Sequence, residues 1–141
     1  MSIYLSAHFT VEECKCKCKR HVGDYCYVQP KLLVLVEKIR AILKTPLEVN
    51  SCCRCPDHNR EEKGSPTSKH ITLPLCPSRA MDIKPRNMSA LTAYNAIMKA
   101  YQSGQLEELG GIGIYDSFVH VDTAKAADGH LRKWDERTKR P

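Results

Sequence analysis

Two groups of side chains in this sequence can do chemistry, one of imidazoles and carboxylates and one of thiols. His120 lies in Phe118-Val119-His120-Val121-Asp122, where apolar and polar residues alternate. That period predicts a strand with Phe118, His120 and Asp122 on one face. An imidazole so placed is either a buried structural histidine or a metal ligand pre-positioned on a rigid element. His70 and Asp82 supply the partners for the second reading. Two imidazoles and one carboxylate, with a fourth position open to water, make a catalytic zinc centre. Spacing alone does not join three residues so far apart in the chain. His8, His21, His58 and His130 stand in polar or loop contexts and read as solvated surface residues.

The eight cysteines are unevenly placed. Cys14, Cys16, Cys18 and Cys26 form one cluster, Cys52, Cys53 and Cys55 another, and Cys76 stands apart. Their density falls below the roughly 8–10% of a disulfide scaffold. Three readings stay open. Cys14, Cys16, Cys18 and Cys26 could bind a structural zinc, with Cys53 or Cys55 as a further ligand. They could form disulfides to the 52–55 segment, which would tie the N-terminal arm over the loop that carries Arg54. Or they are free thiols.

Recognisable elements must position these groups. Thr10 and Glu13 form a capping box that opens a short helix. Pro30 suits a first helical position, and Leu32, Val36, Ile39 and Leu43 mark one face of a helix over about 30–44, which Thr45-Pro46 ends. Leu47 to Cys53 reads as a strand, 54–63 as a short helix or loop, and 64–77 as loop. Arg79 to Ile83 is a short buried strand holding Asp82. Ser89 caps a second helix with Leu91, Tyr94, Ile97, Met98 and Tyr101 on one face, ending near Gly104. Gly110–Tyr115 and Phe118–Thr123 form a hairpin about Asp116-Ser117. Helices and strands do not alternate strictly, so the fold class is α+β, a small antiparallel sheet with flanking helices.

With 141 residues, 42% of them hydrophobic and 27% charged, the chain suits one globular domain over 1–141 and excludes fibrous and disordered classes. A Cys-rich arm (14–26) and a charged tail (125–141) flank its centre. The longest aliphatic run, Leu32–Val36, is far short of the ~20 residues of a bilayer span, so no membrane partner is expected. The first ten residues carry no signal-peptide pattern. The expectation is a monomer made in the cytoplasm that reaches any outside target through another factor. A net charge of +6 favours an anionic partner, and nucleic acid and acidic wall polymers both qualify. Scattered basic residues and few aromatics argue against nucleic acid.

Four segments, in order, resemble the zinc D-alanyl-D-alanine carboxypeptidase family, whose fold is shared with the Hedgehog signalling domain. Residues 5–13, Leu5-Ser6-Ala7-His8-Phe9-Thr10-Val11-Glu12-Glu13, are similar to the opening of short phage and bacterial members. Ser51-Cys52-Cys53-Arg54-Cys55-Pro56-Asp57-His58-Asn59 resembles S-G-Y-R-C-P-x-H-N. Ser68-Lys69-His70, followed by Ser78-Arg79-Ala80-Met81-Asp82-Ile83, resembles S-x-H-x-x-G-x-A-x-D-I. Gly111-Ile112-Gly113-Ile114-Tyr115 with Phe118-Val119-His120-Val121-Asp122 resembles the closing G-x-G-x-Y…F-V-H-V-D. The resemblance implies zinc held by His70, Asp82 and His120, Arg54 beside the substrate carbonyl or carboxylate, and Ser68 holding the substrate peptide. It implies a peptidase acting on peptidoglycan stem peptides beside a D-amino acid, and a phage or prophage lysis role.

Three departures from the pattern matter. Leu73 to Pro77 reads as a five-residue insertion. Ser78 replaces a glycine. Ser117 stands where many members carry the carboxylate general base, three residues before the last His, so that role falls to Asp116, with Asp122 as the alternative. Asp122 could equally orient the imidazole. The rival functions are a non-catalytic zinc domain of the same fold and a Cys-rich zinc module that binds nucleic acid.

Overall fold

The computed structural model describes residues 1–138. The capping box forms: the Glu13 N–H donates to Thr10 Oγ1 at 3.2 Å and the Thr10 N–H donates to Glu13 Oε1 at 3.0 Å. One turn of helix follows, α1 (Val11–Cys14). α2 (Pro30–Leu43) begins on a proline, where a missing N–H costs nothing, and ends at Lys44 in the left-handed region. β1 (Leu47–Ser51), α3 (Pro56–Glu61), β2 (Ala80–Pro85), α4 (Ala90–Gln102), β3 (Gly111–Ile114), β4 (Val119–Asp122) and β5 (Arg132–Asp135) complete the chain. Ser89 Oγ caps α4 by accepting from the Thr92 N–H.

The strand order is β1-β2-β4-β3-β5. The first three pairings are antiparallel, but β5 runs parallel to β3. The α+β class therefore stands, and the sheet is mixed rather than antiparallel. The sequence hides β5 because Arg132-Lys133-Trp134-Asp135 lacks apolar alternation, and it lies within the expected charged tail. Residues 139–141 of that tail lie outside the described residues.

One face of the sheet, Met81, Ile83, Ile112, Val119 and Val121, packs on α2 and α4. α2 buries Leu32, Leu35, Val36, Ile39 and Leu43 there, as its period requires. α4 buries Ile97, as expected, together with Ala90, Ala93 and Ala100; Tyr94, Met98 and Tyr101 pack partly buried against the core, and of the expected face only Leu91 is exposed. Alanines carry little periodic signal but let a helix approach closely. The Leu73–Pro77 excursion is a tight surface turn, with Leu73 and Cys76 exchanging both backbone hydrogen bonds at 3.0 Å. Leu73 to Cys76 are all exposed.

The other face carries the polar residues in two neighbouring rows. Register aligns Ser51, Asp82, His120, Gly113 and Trp134 across all five strands. Two residues along, it aligns Ala80, Asp122, Gly111 and Arg132. The period of two puts both rows on the same face. The glycines of β3 make these rows possible. A Cβ on Gly113 would fall 2.2 Å from Trp134 Nε1, and one on Gly111 would fall 2.5 Å from an Arg132 guanidinium nitrogen. With no Cβ at either position, the indole of Trp134 reaches across β3 to lie 5.0 Å from the His120 ring, centroid to centroid. Arg132 likewise reaches Asp122.

Gly113→Ala should therefore push the indole off His120. Trp134 is the single tryptophan, so its emission should shift as it moves towards water. Overpacking of this kind should also cost about 1–3 kcal/mol in denaturant unfolding. Gly104→Ala, where a Cβ meets nothing within 4 Å but φ is +85°, should cost stability through backbone strain and leave the emission unchanged.

Candidate metal centre

His70 is the one member of the cluster that lies outside the sheet. A parallel bridge fixes it: the Arg54 N–H donates to the His70 carbonyl at 3.0 Å and the Thr72 N–H donates to the Arg54 carbonyl at 2.7 Å. The His70 N–H donates to Ser68 Oγ at 3.2 Å. His70 Nδ1 lies 2.9 Å from the Cys52 carbonyl. A carbonyl only accepts, so Nδ1 carries the proton and Nε2 of the neutral ring is left with its lone pair. That Nε2 lies 3.2 Å from Asp82 Oδ1.

His120 is set the same way from the other side. Its Nε2 lies 2.8 Å from Asp122 Oδ2, and its Nδ1 lies 3.0 Å from the same Asp82 Oδ1. Two ring nitrogens and a carboxylate oxygen, all acceptors when the rings are neutral, thus converge in a buried place. Only a proton or a cation resolves that conflict. Ligands 2.0–2.2 Å from a tetrahedral zinc sit about 3.3 Å from each other; the two separations to Asp82 Oδ1, 3.2 and 3.0 Å, are close to that, and all three donor atoms lie within 4.8 Å of one another. His70, Asp82 and His120 form a group that could hold a metal, and their donor set fits zinc.

The electrostatics agree. Where protonated imidazoles take the place of a cation, burial still pushes Asp82 upward, but the charge on His70 and hydrogen bonds from both rings outweigh it and hold the carboxyl below its usual value. Asp122 is lowered too, against its own burial, by His120 and by Arg132, whose guanidinium donates to its Oδ1 at 2.8 Å. For His120, burial pulls the pKa down, but Asp122 and Asp82 outweigh it and raise it above 6.5.

The cluster lines a cleft of about 470 Å³. Arg54 stands beside it: one guanidinium nitrogen is 3.6 Å from Asp82 Oδ2, Nε donates to Ser51 Oγ at 3.0 Å, and Nη1 donates to Asn59 Oδ1 at 3.4 Å. Trp134 and Tyr115, joined by an Nε1–H to hydroxyl hydrogen bond of 3.0 Å, form an aromatic wall. Ser68, Lys63, Lys69 and Glu62 stand at other parts of the lining.

Residues 7–122 match the family model of peptidase M15, a zinc D-alanyl-D-alanine carboxypeptidase type of family. The chain belongs to the peptidase M15 family. No curated protein matches it. Membership makes this a zinc metallopeptidase chain with candidate ligands in place.

For a peptidase M15 chain, the placement of the singled-out residues is informative. His70, Asp82 and His120 come together, with Arg54 and Ser68 at the same cleft. Asp122 lies behind His120, fully buried, where it accepts from the imidazole rather than facing the cleft. Asp116 is exposed, accepts from the Thr138 N–H and hydroxyl, and is absent from the cleft lining. The thiols divide. Cys16, Cys18 and Cys55 gather with His21, whereas Cys14 and Cys26 contact Cys52 and Cys53. His21 is thus not the solvated residue its context suggested. Arg132 and Trp134 were missed because β5 was; the only signal was the pair of glycines opposite them.

Two outcomes follow for metal binding. Asp122→Asn leaves Arg132 without its carboxylate partner and His120 without its anion. Zinc affinity, read by chelator competition, should fall by roughly 10–100-fold. In the wild type, zinc must displace a proton from His120, whose pKa is raised. Affinity should therefore be fully developed only above that raised pKa and should fall as pH drops through it. Stability of the metal-free chain should run the other way. The His120 contribution is present below 6.5 and lost as pH rises through the raised value.

Proposed function

We propose that this chain is a zinc peptidase that cleaves peptidoglycan stem peptides beside a D-amino acid, as a carboxypeptidase or endopeptidase. The observation that carries the reading is a three-donor cluster at the floor of an open cleft with a guanidinium beside it. Zinc bound to His70, Asp82 and His120 would polarise a peptide carbonyl and lower the pKa of water to about 7. Arg54 offers a fixed fork of donors to a carboxylate or a developing oxyanion, and Ser51 and Asn59 hold that fork in place. Lys63, Lys69 and Arg132 add positive charge at the cleft, which suits a substrate bearing a free carboxylate.

Proton acceptance falls to Glu62. Asp82 and Glu62 are the carboxylates among the described residues lining the cleft, and Asp82 is engaged by both imidazoles. Glu62 follows α3 directly, with its carboxylate 3.8 Å from His58 Nε2 and more than half exposed. We assign the chain the fold shared with the Hedgehog signalling domain, and a monomeric phage or prophage lysis role in which another factor gives it access to the wall. Among the described residues no helix is long and apolar enough to cross a membrane. Ser117, where a carboxylate is expected, favours one second reading: a non-catalytic zinc domain of the same fold.

Digestion of purified peptidoglycan separates the two. Wild type should release D-amino acids or cut cross-links, a chelator should stop it, and added zinc should restore it. His120→Ala should be inactive. Glu62→Gln should lower turnover by about 10²–10⁴-fold with zinc retained, while Asp116→Asn should stay near wild type. A zinc-loaded wild type that leaves every stem peptide intact would establish the non-catalytic reading. A fully active Glu62→Gln would remove Glu62 from the mechanism.

A further inference from the structure

The N-terminal arm carries a second donor cluster, which includes Cys55, the residue after Arg54. Cys16, Cys18 and His21 lie in the segment between α1 and α2, and Cys55 is the residue before α3. One donor atom from each lies within 4.8 Å of the others. The Cys16 and Cys18 sulfurs are 3.5 Å apart, and those of Cys18 and Cys55 are 3.7 Å apart. Thiolates 2.3 Å from a tetrahedral zinc sit about 3.8 Å from each other. All eight cysteines are thiols in the structure, and separations of this size far exceed the roughly 2.05 Å of a disulfide.

His21 supplies an independent observation. Its Nε2 is buried and has no hydrogen-bond partner, a costly condition for a polar atom. The ring is held by stacking on Tyr25, 4.2 Å between centroids. Tyr25 is fixed in turn by its hydroxyl on the Thr72 carbonyl at 2.5 Å and by its own carbonyl, which accepts from the Cys16 N–H at 2.8 Å. Backbone N–H groups already point at two of the sulfurs: Cys55 N–H at Cys16 Sγ and His58 N–H at Cys55 Sγ, both at 3.4 Å. Such donors support a thiolate that ligates a metal. Lys17, Lys19 and Arg20 alternate with or follow these cysteines, and Arg20 hydrogen-bonds Cys18, so positive charge stands beside the single negative charge of three thiolates on a divalent ion.

We propose that Cys16, Cys18, His21 and Cys55 bind one structural zinc ion, separate from the catalytic centre. Three thiols lose their protons to solvent, the neutral imidazole gives its lone pair, and four protein ligands close the sphere. The ion clamps the arm to the residue that follows Arg54. It thereby fixes the start of α3 and the loop that presents the guanidinium to the cleft. Cys14, Cys26 and Cys53 lie outside this sphere.

The test uses the reduced, full-length chain, stripped and reloaded with Co²⁺, and reads metal per chain together with the thiolate-to-cobalt charge-transfer band. Wild type should take up two equivalents and show the band. His120→Ala should take up one and keep the band, and Cys18→Ser should take up one and lose it. Cys76→Ser should match wild type. Because the wild-type spectrum needs no variant to fold, it stands alone: reduced wild type that binds one equivalent without the band overturns the site. So does a band that persists in both Cys18→Ser and Cys55→Ser, or a chain isolated without reductant whose mass shows these cysteines paired as disulfides. None of these readouts depends on peptidase activity, so an inactive chain would leave this result intact.

Discussion

The whole arrangement turns on one oxygen atom. Asp82 Oδ1 lies within hydrogen-bond distance of His70 Nε2 and His120 Nδ1, and both rings have their other nitrogen engaged elsewhere. Three acceptors pressed together away from water are unstable without a positive charge among them. The fold holds them there by rigid means: β2 and β4 pair Asp82 directly with His120, and the Arg54–Ile71 bridge brings His70 over the sheet. A site whose geometry is set by backbone pairing loses little on binding a cation, because no side chain needs to be reoriented.

The sheet divides its two faces between stability and chemistry. Met81, Val121 and Ile112 form a row against the helices. One residue along each strand, Asp82, His120 and Gly113 form the row that carries two of the three candidate ligands. A one-residue slip in register would exchange the two faces. The aliphatic core is therefore what specifies the position of the ligands. The glycines of β3 extend the chemical row to β5, so Trp134 and Arg132 support His120 and Asp122 from an edge strand that is parallel to its neighbour.

What the sequence made legible follows from which signals are local. The alternation around His120 is a period-two pattern and the strand around Asp82 a short buried run; both form, the second as Ala80–Pro85 rather than 79–83. The caps at Thr10 and Ser89 are three-residue signals and also form. The Leu73–Pro77 excursion was legible because its prolines and lack of period mark a turn. β5 was not, since Arg132, Lys133, Trp134 and Asp135 show no apolar alternation to mark a strand. Nor was His21: its meaning depends on Cys55, brought close only by the fold. The face of α4 was legible in Ile97, Tyr94, Met98 and Tyr101, but not in the alanines at its centre, which carry little periodic signal, and Leu91 lies outside it. Asp116 looked suited to accept a proton from its position in the turn, but the chain that returns as β5 places Thr138 against it.

Diffraction from crystals grown with zinc, recorded on both sides of the zinc absorption edge, tests the metal centre most directly. The expected result is an anomalous peak within about 2.2 Å of His70 Nε2, Asp82 Oδ1 and His120 Nδ1. The contradicting result is no peak there in zinc-saturated crystals, with the three side chains joined by protons alone.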